Sequence, residues 1–204
     1  MALLLSAIVP TAKEVVVPAR IPQLERSDLH DRHQPIYDAV VASRGTIGGP
    51  FRIWLHSPEF ADRAQRLGQF VRYDTSLCAR LSELAILVCA RFMDCQVEWS
   101  LHEKEALAAN LDGRVIDAIR DRRTPEFAAE EERVVYDYVS ELLATRAVTD
   151  GTFAKAREQL GDPGLVELTG IIGYYCSVAM TLNAFHVPLP EGTQPTLVDC
   201  PTFE

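Results

Sequence analysis

Residues 80–110 read RLSELAILVCARFMDCQVEWSLHEKEALAAN, and this stretch contains the clearest structural pattern in the chain. Its first half contains an almost uninterrupted apolar run from Leu84 to Ala90, which is typical of a helix buried on every side. Its second half mixes polar and apolar residues, and Asp94 between the halves is a suitable N-cap for another helix. The stretch therefore predicts a helical hairpin at the centre of the molecule.

A thiol, a carboxylate and an imidazole share one face of the second predicted helix. Cys95, Glu98 and His102 are spaced i, i+3 and i+7, which places them on a single stripe. At the first helical turn, free backbone N–H groups and the helix dipole are expected to make Cys95 a reactive thiolate. An antiparallel return of the chain is expected to bring Glu83 back to this stripe. These four residues are the candidate catalytic residues.

Their spacing resembles that of the carboxymuconolactone decarboxylase and alkylhydroperoxidase D superfamily. There, a Glu is followed 12 residues later by a Cys-x-x-Cys-x-x-x-His motif, and Glu83, Cys95 and His102 keep that spacing. The position of the second Cys holds Glu98. The peroxidase branch uses both thiols as a redox pair, whereas the decarboxylase branch carries a carboxylate four residues before the His. This difference favours the decarboxylase branch.

The resemblance covers most of the chain, through the segments 20–22, 49–51, 55–59 and 183–190. It implies an all-α, multi-helix alkylhydroperoxidase D-like bundle, and no alternating strand pattern contradicts that class. Three prolines within residues 1–27 predict an extended N-terminal arm that lies on the body or on a neighbouring subunit. The predicted helical domain spans 28–190, and a C-terminal tail spans 191–204.

Three pairs of an N-cap residue and a proline predict helix starts. The first predicted helix runs from Pro58 to about residue 71, the second from Pro125 to about residue 145, and the third is an apolar helix from Pro163 to near His186. Before the third, Thr149 is expected to start a short helix that stops at Gly161.

Composition limits the possible partners and the compartment. A net charge of -9 argues against a nucleic-acid partner, because phosphate binding needs a basic surface. The five cysteines are an odd number without framework spacing, and the N-terminus lacks a convincing signal peptide, so a reducing cytoplasm with free thiols is expected. The most apolar window, 165–187, contains polar residues and predicts a buried helix and not a membrane span.

The resemblance implies a lyase or isomerase that acts by proton transfer on a small carboxylated ring compound such as a lactone. His102 would be the general acid, because imidazole exchanges protons near neutral pH. Glu98 would orient His102, and Glu83 would be a second proton carrier or a structural anchor. The alternative is a peroxide-reducing oxidoreductase that uses Cys95. A third possibility is a catalytically inactive scaffold.

Substrate-binding candidates are weaker in the sequence. Arg80 or Arg91 can receive a substrate carboxylate, and Trp99 can line a pocket, although it points about 100° away from the stripe, as core residues do. A zinc site at Cys95, Glu98 and His102 would lack a fourth protein ligand, so no metal is expected, and no cofactor is implied. The superfamily usually forms trimers or hexamers, and the apolar hairpin predicts a homo-oligomer.

Overall fold

The computed structural model describes residues 18–200, and this part of the chain contains helices and no β-strand. The α-helices are α1 (Gln34–Arg44), α2 (Phe51–Trp54), α3 (Pro58–Gln69), α4 (Ala79–Phe92), α5 (Gln96–Ala108), α6 (Gly113–Arg120), α7 (Glu130–Thr145) and α8 (Asp150–Ala184). Two short 3₁₀ turns, Arg26–Asp28 and Asp31–His33, precede α1, and a π-helical turn, Phe70–Asp74, follows α3. The predicted all-α class is confirmed.

Helices α4 and α5 form the predicted hairpin, and α4 is the central helix of the fold. Every residue of α4 from Leu81 to Arg91 is buried, because α5, α7 and α8 all pack against it. The hairpin turns at Asp94, which has a left-handed φ of 48°. Contrary to expectation, Cys95 and not Asp94 is the N-cap of α5. The Asp94 carboxylate instead forms ion pairs with Arg91 and Arg122, which hold the turn against the end of α6.

Two of the four predicted helix starts agree with the structure, and one is wrong. Helix α3 begins at Pro58, and the Thr149 side chain accepts a hydrogen bond from the Thr152 N–H at the start of α8. However, α7 begins at Glu130 and not at Pro125. Phe127 packs on Tyr136 with ring centroids 5.3 Å apart, so the segment before α7 runs back along that helix. A tertiary contact therefore overrides the capping signal at Pro125.

Gly161 divides α8 into two helical parts, close to the predicted boundary between two helices. Its backbone angles, φ 69° and ψ 172°, lie outside the helical region, and Pro163 follows two residues later. Helix α8 packs against α4 and α7. By length and composition α8 is apolar enough to cross a membrane, but half of its most apolar window is buried within the molecule, as in the core helix of a globular protein.

The two ends of the described chain lie on the helical body. Residues 18–25 contain no helix. The Arg20 N–H donates to the Phe185 carbonyl at 2.8 Å, and the Leu24 N–H donates to the Arg52 carbonyl at 3.0 Å. At the other end, the Leu197 N–H donates to the Gln96 side chain at 2.9 Å. Most of the predicted N-terminal arm, residues 1–17, and the last four residues of the tail lie outside the described part.

Candidate active site

His102 and Glu83 form a buried pair at the centre of the hairpin. The His102 Nδ1–H donates to Glu83 Oε2 at 2.7 Å, and the two residues are only 5% and 7% exposed. The return of α5 along α4 brings Glu83 to the stripe, as the sequence predicted. Since Glu83 occupies Nδ1, the nitrogen left for a ligand is Nε2. The expectation that Glu98 orients His102 is therefore wrong, because Glu83 holds that position.

Glu98 is the most unusual side chain of this region. It is 1% exposed, and neither carboxyl oxygen has a hydrogen-bond partner among residues 18–200. Burial raises the pKa of the Glu98 carboxyl well above its usual range, and negative charge at Cys176 and Glu83 raises it further. An ionised carboxylate without donors is costly in such a place. The site therefore favours the neutral carboxylic acid form of Glu98.

Glu98 and His102 both line a cavity of about 770 Å³. This volume lies within the range of small-molecule sites. The walls come from α1, the loop after it, the π-helical turn, the second part of α8 and the segment 187–190. Tyr175 packs edge-on against His102, with ring centroids 5.0 Å apart. Other lining side chains are Arg44, Phe51, Arg72, Tyr73 and Tyr174.

Cys95 does not have the character that the sequence predicts. It is completely buried at the N-cap of α5 and is not among the residues that line the cavity. Burial raises the pKa of the Cys95 thiol, and the nearby Glu98 carboxyl adds to this effect. Desolvation thus outweighs the helix N-terminus, which would favour a thiolate. The expected reactive thiolate is wrong for this position.

The three residues expected to bind substrate lie away from the cavity. Arg80 forms ion pairs with Glu131 and Glu132 on α7. Arg91 is buried, pairs with Asp94, and donates to the Arg120 carbonyl at 2.8 Å. These guanidinium groups connect helices to one another, so neither faces a ligand. Trp99 is fully buried in the core, as its helical angle indicated.

Sequence reasoning missed the cations and phenols of the cavity. Arg44 ends α1, Arg72 lies in the π-helical turn, and Tyr174 lies in α8, so all three lie outside the 80–110 hairpin. No local motif marks any of them. The loop after α1 also lines the cavity, through residues 46–50. Among residues 18–200, no three His, Cys, Asp or Glu side chains form a group that could hold a metal ion.

No protein-family model and no curated protein matches this chain. Similar solved structures exist. A peroxidase-related protein from Ralstonia eutropha JMP134, described as an alkylhydroperoxidase AhpD core, has a TM-score of 0.71 at 15% identity, covering 85% of this chain and 93% of that one. A peroxidase-related protein from Silicibacter sp. TM1040 has a TM-score of 0.69 at 13% identity, covering 91% and 98%.

The fold is AhpD-like. The debrominase Bmp8 shares it, with a TM-score of 0.67 at 14% identity over 89% of this chain and 95% of that one, and its structure was solved in complex with 2,3,4-tribromopyrrole. Structural similarity at identities this low establishes the fold alone, and the AhpD-like fold agrees with the resemblance found in the sequence. The reaction has to be argued from the side chains in the cavity.

Proposed function

We propose that this protein is a lyase or isomerase, similar to carboxymuconolactone decarboxylase, that transfers protons on a small carboxylated ring compound. The observation that carries the proposal is Glu98, a buried carboxyl group without a hydrogen-bond partner among the described residues, in the same cavity as His102. A buried group whose pKa is raised in a cavity marks a candidate proton donor. Glu98 is therefore assigned the role of general acid, a role that the sequence alone gave to His102.

The chemistry follows from the protonated state of Glu98. Loss of carbon dioxide breaks a carbon–carbon bond and leaves the electron pair on a ring carbon, conjugated with a carbonyl group. The Glu98 O–H donates its proton to that carbon, so a C–H bond forms and Glu98 becomes a carboxylate. Because burial disfavours this carboxylate, Glu98 takes a proton back from water before the next turnover.

His102 supplies a second proton-exchanging group at the same cavity. With Nδ1–H donated to Glu83, its Nε2 is oriented towards the ligand side. There it exchanges a proton with the substrate oxygen on which negative charge develops. Glu83 has no place on the cavity wall and acts as a positioning residue for the imidazole.

The surroundings of Glu98 and His102 support a ring substrate. Phe51, Tyr73 and Tyr175 give the cavity aromatic walls, which suit a flat ring. The Bmp8 complex with tribromopyrrole is an example of the same fold with a small ring compound. The peroxidase alternative has weaker support, because the Cys95 thiol is sealed from the cavity and Glu98 replaces the second motif cysteine.

Turnover assays on a panel of small lactone and keto acids test this proposal. We expect Glu98→Gln and His102→Asn to lower kcat/KM by about 100-fold or more, as loss of a general acid or base does. Cys95→Ala should stay within about 5-fold of the parent, because a buried core thiol contributes only packing. Thermal melting of each variant controls for folding.

Peroxide consumption with a thiol reductant is the competing assay. Rapid consumption that disappears in Cys95→Ala would overturn the proposal in favour of the oxidoreductase alternative. A folded protein that is inert in both assays would favour the scaffold.

We also propose that the protein acts on its small-molecule substrate in the cytoplasm. All five cysteines are free, including Cys78 on the surface. Free exposed thiols persist where glutathione and thioredoxin keep them reduced.

A further inference from the structure

Three arginines line the cavity, and they differ in how their charge is balanced. Arg52 forms an ion pair with Glu25 and donates to the Gln23 carbonyl at 3.2 Å. Arg72 pairs with Glu105 at 3.4 Å. Arg44, in contrast, has no carboxylate partner among the ion pairs of residues 18–200. A guanidinium group in a cavity wall without a counter-ion is ready to bind an anion.

The Arg44 guanidinium is nevertheless held in place. Its Nη1 donates to Ser43 Oγ at 2.7 Å, its Nη2 lies 3.5 Å from the Gln65 carbonyl oxygen, and it stacks over the Phe51 ring at 4.5 Å. These contacts are neutral, so they orient the cation without balancing its charge. Pre-organisation of this kind lowers the entropy cost of binding a ligand.

Tyr174 brings a hydroxyl group to the same place. Its side chain is 9% exposed, and the hydroxyl interacts with Arg44. Burial raises the pKa of Tyr174 to about 12, so the phenol stays a neutral hydrogen-bond donor at physiological pH. Arg44 and Tyr174 line the same cavity as Glu98, the proposed acid.

Gly68 provides the space for both groups. A Cβ atom at this position would lie 2.1 Å from the Tyr174 hydroxyl oxygen and 3.0 Å from Arg44 Nη2. Gly68 is buried within α3, where glycine otherwise costs about 1 kcal/mol relative to alanine. Any other residue at this position would push the hydroxyl and the guanidinium out of the cavity wall.

We propose that Arg44 and Tyr174, packed against Gly68, form a carboxylate-binding subsite that holds an acid group of the substrate which the reaction leaves in place. A guanidinium group stabilises a carboxylate and so opposes its conversion into neutral carbon dioxide. The bound acid group must therefore differ from the one that is lost. The statement that the reaction leaves the bound acid group in place rests on the proposed function. Anion binding at Arg44 and Tyr174 can be tested without turnover.

Binding of benzoate and 2-furoate, with benzamide as the neutral analogue, tests the subsite. By calorimetry we expect the parent to bind the carboxylates, and Arg44→Met to bind them about 10- to 100-fold more weakly, as loss of a charged hydrogen bond predicts. Arg44→Lys should recover part of this loss. Tyr174→Phe should weaken binding less than Arg44→Met, and benzamide should bind the parent and Arg44→Met equally.

Arg72→Met is the matched control, because Glu105 already balances that cavity arginine. It should bind benzoate within about 3-fold of the parent, since no free guanidinium is removed. Equal benzoate affinity in the parent and Arg44→Met, or no carboxylate binding by the folded parent, would overturn the subsite. Phenylphosphonate binding that exceeds benzoate binding would overturn its assignment to carboxylates. Intact benzoate binding without turnover on any lactone acid would refute the proposed function alone.

Discussion

At the scale of single residues, the protonation state of Glu98 makes the stability of the protein depend on pH. The folded protein keeps a proton on Glu98 that the unfolded chain releases above about pH 4.3. Between about pH 4.3 and the raised pKa of Glu98, the unfolded state binds fewer protons than the folded state. The free energy of unfolding therefore falls as pH rises through this range. Below this range both states are protonated, and the penalty disappears.

Glu98→Gln, the variant expected to lower kcat/KM, should also remove this pH dependence. The amide is neutral at every pH, so the variant should gain Tm relative to the parent as pH rises from 4 to 8, with the difference smallest at pH 4. Thermal melts across this range measure the effect. Glu126→Gln, a change at an exposed glutamate, is the control and should show no such trend. A Tm difference that does not change with pH would contradict the burial argument.

Thiol labelling tests the environment of Cys95. In the native protein, iodoacetamide should modify the exposed Cys78 and leave Cys95 and Cys89 unmodified, because both are buried and their pKa values are raised. All three should react after unfolding, as peptide mass spectrometry would show. Rapid native labelling of Cys95 would instead support the peroxide-reducing alternative.

At the scale of elements, the break in α8 depends on a backbone conformation that is almost exclusive to glycine. Gly161→Ala should lower the free energy of unfolding by about 1–3 kcal/mol, the usual cost of a strained non-glycine residue. The added Cβ would meet only the Pro163 Cδ atom, at 3.8 Å, so the cost comes from the backbone and not from a clash. Urea denaturation measures it.

Gly151→Ala is the matched control in the same helix. Nothing lies within 4 Å of a Cβ at Gly151, and its backbone has no positive φ, so alanine should be neutral or slightly stabilising there. Equal effects of the two substitutions would mean that alanine adopts the backbone conformation at position 161 without strain.

At the scale of the whole molecule, the apolar run of α4 is used within the protomer. Leu84, Ile86 and Leu87 are completely buried in the core of the described chain, whereas Phe92, Leu101 and Leu107 of the same hairpin are exposed. The subunit interface predicted for the 80–110 hairpin therefore stays a prediction for its exposed residues only. The second part of α8 also exposes an uncharged row with alternating spacings of four and three residues, which comprises Val166, Gly170, Gly173, Ser177 and Met180.

We predict a homo-oligomer in which this row of α8 forms the contact between subunits. Small residues at such spacing let two helices approach closely. Light scattering at micromolar concentration should give a trimer or hexamer of the 22.7 kDa chain. Gly173→Glu should reduce the mass to that of the monomer, whereas Gly113→Glu on α6 should not. A monomeric parent would refute the prediction.

From the amino-acid sequence alone we could predict the helical class, the central hairpin and the return of Glu83 to the stripe that carries His102. These features depend on apolar periodicity and on helical spacing, which are local properties of the chain. The folded structure was needed to show that Glu83 and not Glu98 pairs with His102, that Glu98 is buried without a hydrogen-bond partner among the described residues, that Cys95 is buried in the core, and that Arg44 and Tyr174 meet at the cavity. Solvation and charge depend on residues that are distant along the chain, so no local pattern contains them.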